Sequence, residues 1–210
     1  MAFNIILYLS GLKGDVMRPH ALDTALITEN AFQLVVWCSG NHHVLDHFLD
    51  DGDHNSFGPT KPNFIYHLQK KVCELLIVTA TKIRILQDSL TDTYLDHEEL
   101  IKPDKRITTF NPCAQELHSL KNLSIRETCN KIIHATSVAF IMCNKDGHKE
   151  RFLYWSEDLY GFWFSGVVEL HGKIKGKEWN VTLEPSKLGV NIINYIHELE
   201  SEHEIYRAWE

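Results

Sequence analysis

The spacing of apolar residues switches along this chain from a helical period to an alternating one, and the switch falls near residue 137. Upstream, Leu68, Val72, Leu75, Leu76, Thr79, Ile83 and Leu86 recur close to every 3.6 residues, the spacing that lines one face of a helix. Downstream, Ser137–Asn144 and Lys149–Ser156 alternate around Asp146-Gly147, a turn pair, and Tyr160–His171 and Glu178–Leu183 flank a glycine-punctuated turn. Leu188, Ile192, Ile196 and Leu199 then return to helical spacing. The pattern predicts an α+β chain: a helical bundle over residues 1–136, an appended four-stranded antiparallel β-meander over 137–184, and a closing C-terminal helix over 185–200, all in a single domain spanning 1–210.

Within the helical part, residues 21–38 predict one helix, His42–Leu49 a shorter one, and Asn63–Gln87 a long one capped by Asn63. Asp50–Pro59 is dense in turn formers, and Thr91–Pro112 reads as an irregular connection. Ser124-Ile-Arg-Glu127 matches a capping box, in which the serine oxygen accepts from the Glu127 amide and the Glu127 carboxylate accepts from the Ser124 amide. Its helix runs to about Ala135, with Ile125, Cys129, Ile132 and Thr136 on the apolar face.

Composition narrows the function classes. Acidic residues outnumber basic ones, 28 to 21, and a chain with a net charge of −7 is poorly suited to coating DNA, because phosphate binding draws on concentrated positive charge. Five widely spaced cysteines with no CxxC pair argue against a disulfide framework or a zinc ribbon and fit a reducing, cytoplasmic setting. The apolar opening lacks a basic flank and is expected to be a buried segment, and no run is long enough to span a bilayer. No membrane partner and no cofactor are expected, since phosphate-loop, dinucleotide and nucleophile-elbow motifs are all missing.

Three constellations carry chemistry. In Ser124–Ala135, Asn130 and His134 stand one turn apart, Glu127 lies seven residues before His134 on nearly the same meridian, and Arg126 sits beside it. Such a stripe could bind a phosphodiester through arginine and move a proton through histidine. A second cluster, His42, His43, Asp46, His47, Asp50, Asp53 and His54, places His43 and His47 at the i,i+4 spacing of helical metal sites. The third is aromatic: Phe152, Tyr154, Trp155, Tyr160, Phe162, Trp163, Phe164 and Trp179 could stack bases on a sheet, although Glu157, Asp158 and Glu169 dilute the charge that such a platform needs. Strand alternation makes packing against the last helix the better account of these aromatics.

An arginine followed by a polar residue and then a histidine on a late helix resembles the motif of the HEPN superfamily, small helical proteins that often cleave RNA without metal in bacterial toxin, defence and RNA-processing systems. Asn130-Lys-Ile-Ile-His134 resembles the second half of that motif. Arg126 leaves seven residues before His134, a longer gap than the family's, and points about 80° around the helix from it. The resemblance implies an RNA-directed protein, with His134 as acid–base group, Asn130 orienting it or contacting phosphate, Arg126 neutralising charge and Glu127 beside them. Two alternatives stand next to it: a non-enzymatic protein that binds a partner or itself as a homo-oligomer, and a metal hydrolase using His43 and His47.

Overall fold

The computed structural model of the chain describes residues 23–41, 44, 60–93, 112–152 and 162–202. In chain order the elements are α1 (Thr24–Ser39), α2 (Thr60–Thr93), β1 (Ala114–Glu116), β2 (Lys121–Asn122), α3 (Ile125–Ile133), β3 (Ser137–Asn144), β4 (Lys149–Phe152), β5 (Phe162–Ile174), β6 (Lys177–Leu183) and α4 (Pro185–Glu202). Expected features that fall outside the described residues are the opening segment, the His42–Leu49 helix with His43 and His47, the turn-rich loop after it, most of the Thr91–Pro112 connection, and Tyr154, Trp155 and Tyr160.

Each helix shows why it forms where it does. The Asp23 carboxylate accepts from the Leu26 amide at 2.8 Å, so α1 begins with one of its unpaired donors satisfied. One face of α1 is then buried through Ile27, Ala31, Leu34 and Cys38. Along α2 the buried positions Ile65, Leu68, Val72, Leu75, Leu76, Ala80, Ile83 and Leu86 follow the expected period. Near the end of its described part the Gln87 amide donates to the Tyr195 hydroxyl of α4 at 3.4 Å. The α4 face that meets α1 and the sheet carries Leu188, Ile192, Tyr195, Ile196 and Leu199, all buried.

The expected four-stranded meander is corrected in two ways. Among the described residues the sheet has six strands in the order β2-β1-β6-β5-β3-β4, every neighbouring pair antiparallel. After the β3–β4 hairpin the chain does not continue beside β4 but returns to the other side of β3, leaving β4 on an edge. The two extra strands, β1 and β2, come from the segment expected to be mainly helical; at three and two residues they are too short to impose a period on the sequence. The helices also do not form a separate bundle with a sheet attached. Buried side chains of all four described helices and of the strands join in one continuous core.

Strand alternation divides the sheet into an inner and an outer face. Ala114, Phe140, Met142, Phe164, Val168, Leu170, Trp179, Val181 and Leu183 point inward and are buried, with the Phe140 and Phe164 rings 5.1 Å apart. Each fully buried large apolar side chain contributes about 1.5–3 kcal/mol, so this face anchors the fold. The core reading of the aromatics therefore holds for Phe164 and Trp179, and Phe152 and Phe162 pack against the same core. Ladder register shifts once, between Ile141 and Met142, where Ser165 and Gly166 of β5 are left without partners on β3. Gly166 sits there at φ 81°, a left-handed conformation that a side chain would strain. Among the described residues no helix is long and apolar enough to cross a membrane.

Candidate functional site

Helix α3 forms as its sequence predicts, and its capping box is complete. The Glu127 amide donates to Ser124 Oγ at 3.1 Å, and the Ser124 amide donates to Glu127 Oε2 at 3.0 Å. The other oxygen of Glu127 accepts from Lys121 Nζ at 2.6 Å, linking β2 to the helix start. Burial pushes the Glu127 carboxyl up, but the Lys121 ammonium and the Ser124 amide and hydroxyl outweigh it and hold the group below the ordinary carboxylate range.

The remaining residues of the expected stripe are dispersed. Arg126 turns toward α2 and pairs with Asp88 at 2.7 Å, an aspartate that also takes Arg84 at 3.2 Å. Asn130 is exposed, and its carbonyl accepts from the His134 amide at 3.1 Å. His134 is the C-cap residue and is exposed too. Among the described residues no hydrogen bond joins the side chains of Arg126, Glu127, Asn130 and His134 to one another. One turn after Glu127, Lys131 donates to Glu116 of β1 at 2.9 Å and lies 4.3 Å from the Trp179 ring centroid, tying the helix to the sheet. Hydrogen bonds from Lys131, and then from Ser119, hold Glu116 below the usual carboxylate range. Gly172 makes room for this junction. A Cβ there would collide with the Trp179 ring and meet the His134 carbonyl oxygen at 3.0 Å.

A more connected group stands on the outer face of the sheet. Arg151 of β4, Glu169 and His171 of β5, and Asn180 of β6 form one network. Arg151 Nε lies 3.1 Å from Glu169 Oε2, and Arg151 Nη2 meets His171 Nε2. His171 Nδ1 lies 2.7 Å from Asn180 Oδ1, and its Nε2 lies 3.7 Å from Glu169 Oε2. Register explains the meeting. His171 is directly opposite Asn180 across the β5–β6 hairpin, and Glu169 is two residues away on the same face. Arg151 is paired with Ile141, and Glu169 with Ala139, so the ion pair spans β3. Ala139 lies on this outer face and is nevertheless fully buried, consistent with the long arginine side chain reaching across a small residue.

The network also fixes a tautomer. An amide oxygen only accepts, so His171 Nδ1 carries the proton that it shares with Asn180. That leaves Nε2 as the acceptor facing the Arg151 guanidinium, a donor only. Side-chain exposure grades across the group, from 18% at His171 and 23% at Glu169 to 47% at Arg151, so the arginine is the member most accessible to a ligand.

Sequence reading missed this cluster because its members come from three strands separated by a hairpin and a bulge. The usable signal was polar alternation: Glu169 and His171 at i,i+2, and Asn180 and Thr182 in the facing strand. Among the described residues no group of three or more His, Cys, Asp or Glu side chains could hold a metal ion. No family model matches the chain, and neither a curated protein nor a solved structure matches it.

Proposed function

We propose that the protein is RNA-directed and cleaves RNA without a metal ion, using the outer face of the sheet. The observation that supports this reading is the Arg151–Glu169–His171–Asn180 network, which puts a guanidinium beside an imidazole nitrogen whose tautomer is fixed. A phosphodiester taken up by Arg151 replaces the imidazole as acceptor of its N–H groups, while Glu169 keeps the guanidinium oriented. His171 Nε2 then takes the proton of the neighbouring 2′-hydroxyl. The 2′ oxygen attacks phosphorus, the bond from phosphorus to the 5′ oxygen breaks, and the proton on Nε2 passes to that departing oxygen. The products are a 2′,3′-cyclic phosphate and a 5′-hydroxyl, with no water consumed. Asn180 is a positioning residue, acting through His171.

A second location is favoured by one observation: Asn130 and His134 are exposed one turn apart at the end of α3, where the HEPN-like resemblance puts the chemistry. The two locations separate in one experiment. Labelled mixed-sequence RNA is incubated in EDTA with the parent protein, His171→Ala and His134→Ala, matched by circular dichroism. The expected result is cleavage by the parent and by His134→Ala, and a loss of about 10²–10⁴-fold in His171→Ala, the usual contribution of a proton-transfer group. Loss in His134→Ala alone moves the chemistry to α3. No cleavage by the parent sinks the ribonuclease reading at both places.

A further inference from the structure

The cluster is not the only charge on the outer face. Lys149 precedes Arg151 by two residues on β4, and Lys173 follows His171 by two residues on β5, so both fall on the same face as the network. Measured through β3, Lys149 is level with Cys143, Arg151 with Ile141, Glu169 with Ala139 and His171 with Ser137. Lys173 lies one further two-residue step beyond. The order along the strand direction is thus Lys149, Arg151, Glu169, His171, Lys173. Among the described residues three permanent cations stand against two carboxylates, Glu169 and Glu178, on this face of a protein whose net charge is −7.

The spacing of this row points to its occupant. Side chains two residues apart on a strand are separated by about 6.6–6.8 Å. Phosphates in a stacked duplex strand advance about 3.4 Å each along the axis, and an unstacked, extended strand roughly doubles that. The two-residue steps from Lys149 to Arg151 on β4 and from His171 to Lys173 on β5 therefore match successive phosphates of an unpaired strand and mismatch a duplex, and the Arg151 side chain, reaching across β3 to His171, joins the two steps past Glu169. From Lys149 to Lys173 the row covers about 27 Å along the strands, room for about four phosphate intervals. The end residues can be recruited. Lys149 is exposed, and Lys173 is held by an exposed pair with Glu178 at 3.0 Å, which phosphate can replace.

We propose that Lys149, Arg151, His171 and Lys173 form a track that binds an unpaired RNA strand along the direction of the β-strands, with Lys149 and Lys173 as its outer phosphate contacts. The inference rests on the reading of the sheet face as the RNA site and adds the form of the substrate and the length of its contact. It does not depend on cleavage.

The test uses fluorescence anisotropy with 2′-O-methyl oligonucleotides, which can bind and cannot be cut by 2′-hydroxyl attack. Affinity of the parent for single strands is expected to rise with length to about five nucleotides and then level off. A duplex of the same sequence is expected to bind at least ten-fold more weakly. Lys149→Ala and Lys173→Ala should each lower affinity several-fold and reduce the slope of log K against log salt by about 0.7, the value for one phosphate contact on a single strand. Lys70→Ala, an exposed lysine on α2, should change neither. Unchanged affinity and salt slope in both track variants, or equal binding of duplex, overturns the track. Cleavage dependent on His171 alongside such a result leaves the proposed function standing. Track binding without cleavage does the reverse, and no binding of any RNA overturns both.

Discussion

His171 donates its Nδ1 proton to the side-chain oxygen of Asn180, 2.7 Å away and directly opposite it in the β5–β6 ladder. Because the two residues face each other across a hairpin, the histidine tautomer is set by strand register and does not depend on a mobile loop.

The first prediction concerns that tautomer. A long-range proton–nitrogen correlation spectrum at neutral pH should show His171 protonated at Nδ1, and Asn180→Leu should weaken that preference, leaving the Arg151 contact at Nε2 to hold it. Cleavage in Asn180→Leu should fall about 10-fold or more with RNA affinity unchanged, as expected of a group that acts through another. An Nε2–H ring in the parent would contradict the geometry.

Ala139 offers a second test. Enlarging it should lift the Arg151–Glu169 pair off β3, since the small side chain beneath that pair is already fully buried. Ala139→Leu is expected to cost about 1–3 kcal/mol of stability by overpacking and to weaken RNA binding as well. Ala139→Gly should spare the network. Urea unfolding together with anisotropy separates the two effects, and an Ala139→Leu protein that binds RNA normally would show that the ion pair does not lie over this residue.

The capping box on α3 makes a prediction about stability alone. Ser124→Ala removes the acceptor for the Glu127 amide and should cost about 1 kcal/mol in urea unfolding. His134→Ala, at the exposed other end of the same helix, should stay within about 0.5 kcal/mol of the parent. A large loss from His134→Ala would indicate a buried role that the exposed C-cap position does not explain.

Acid sensitivity follows from Glu116 and Glu127. Both carboxyls are held below their ordinary range in the folded protein, so the unfolded chain binds more protons in the window between folded and unfolded values. Their contribution is present above the unfolded carboxylate value of about 4.3 and is lost as pH falls through the lower folded values. Unfolding free energies measured from pH 6 down to pH 3 should drop less steeply in a Glu116→Gln, Glu127→Gln double variant than in the parent. An equal slope would show that neither lysine partner stabilises the folded state.

Several elements were legible because their signals are local. The Ser124–Glu127 box needs four residues, the long helix shows its period over many turns, and the Asp146-Gly147 turn marks the β3–β4 hairpin. What stayed hidden depends on partners far away in the chain. Nothing in Ala114–Glu116 announces that it will pair with Val181–Leu183, and nothing in β5 says that it will pass β4 and dock on β3. The geometry of the α3 stripe was legible only in part for a related reason. Helical spacing can put Arg126 and Glu127 near His134, but Asp88 and Lys121, both distant in sequence or in another element, decide where those side chains turn. The Arg151–His171 contact likewise becomes visible only when the register of three strands is known.

The irregularity at Ser165–Gly166 has an arithmetic consequence. It inserts two residues opposite a single step of β3, and two is the repeat of a strand, so the alternation of faces passes through it unchanged. Phe164 before it and Val168 after it both remain in the core, while Trp163 and Glu169 both remain outside. Removing both residues would shorten the strand and preserve its sidedness. Removing only one would turn half of β5 over, burying the Glu169 carboxylate and the His171 imidazole where Val168 and Leu170 now pack.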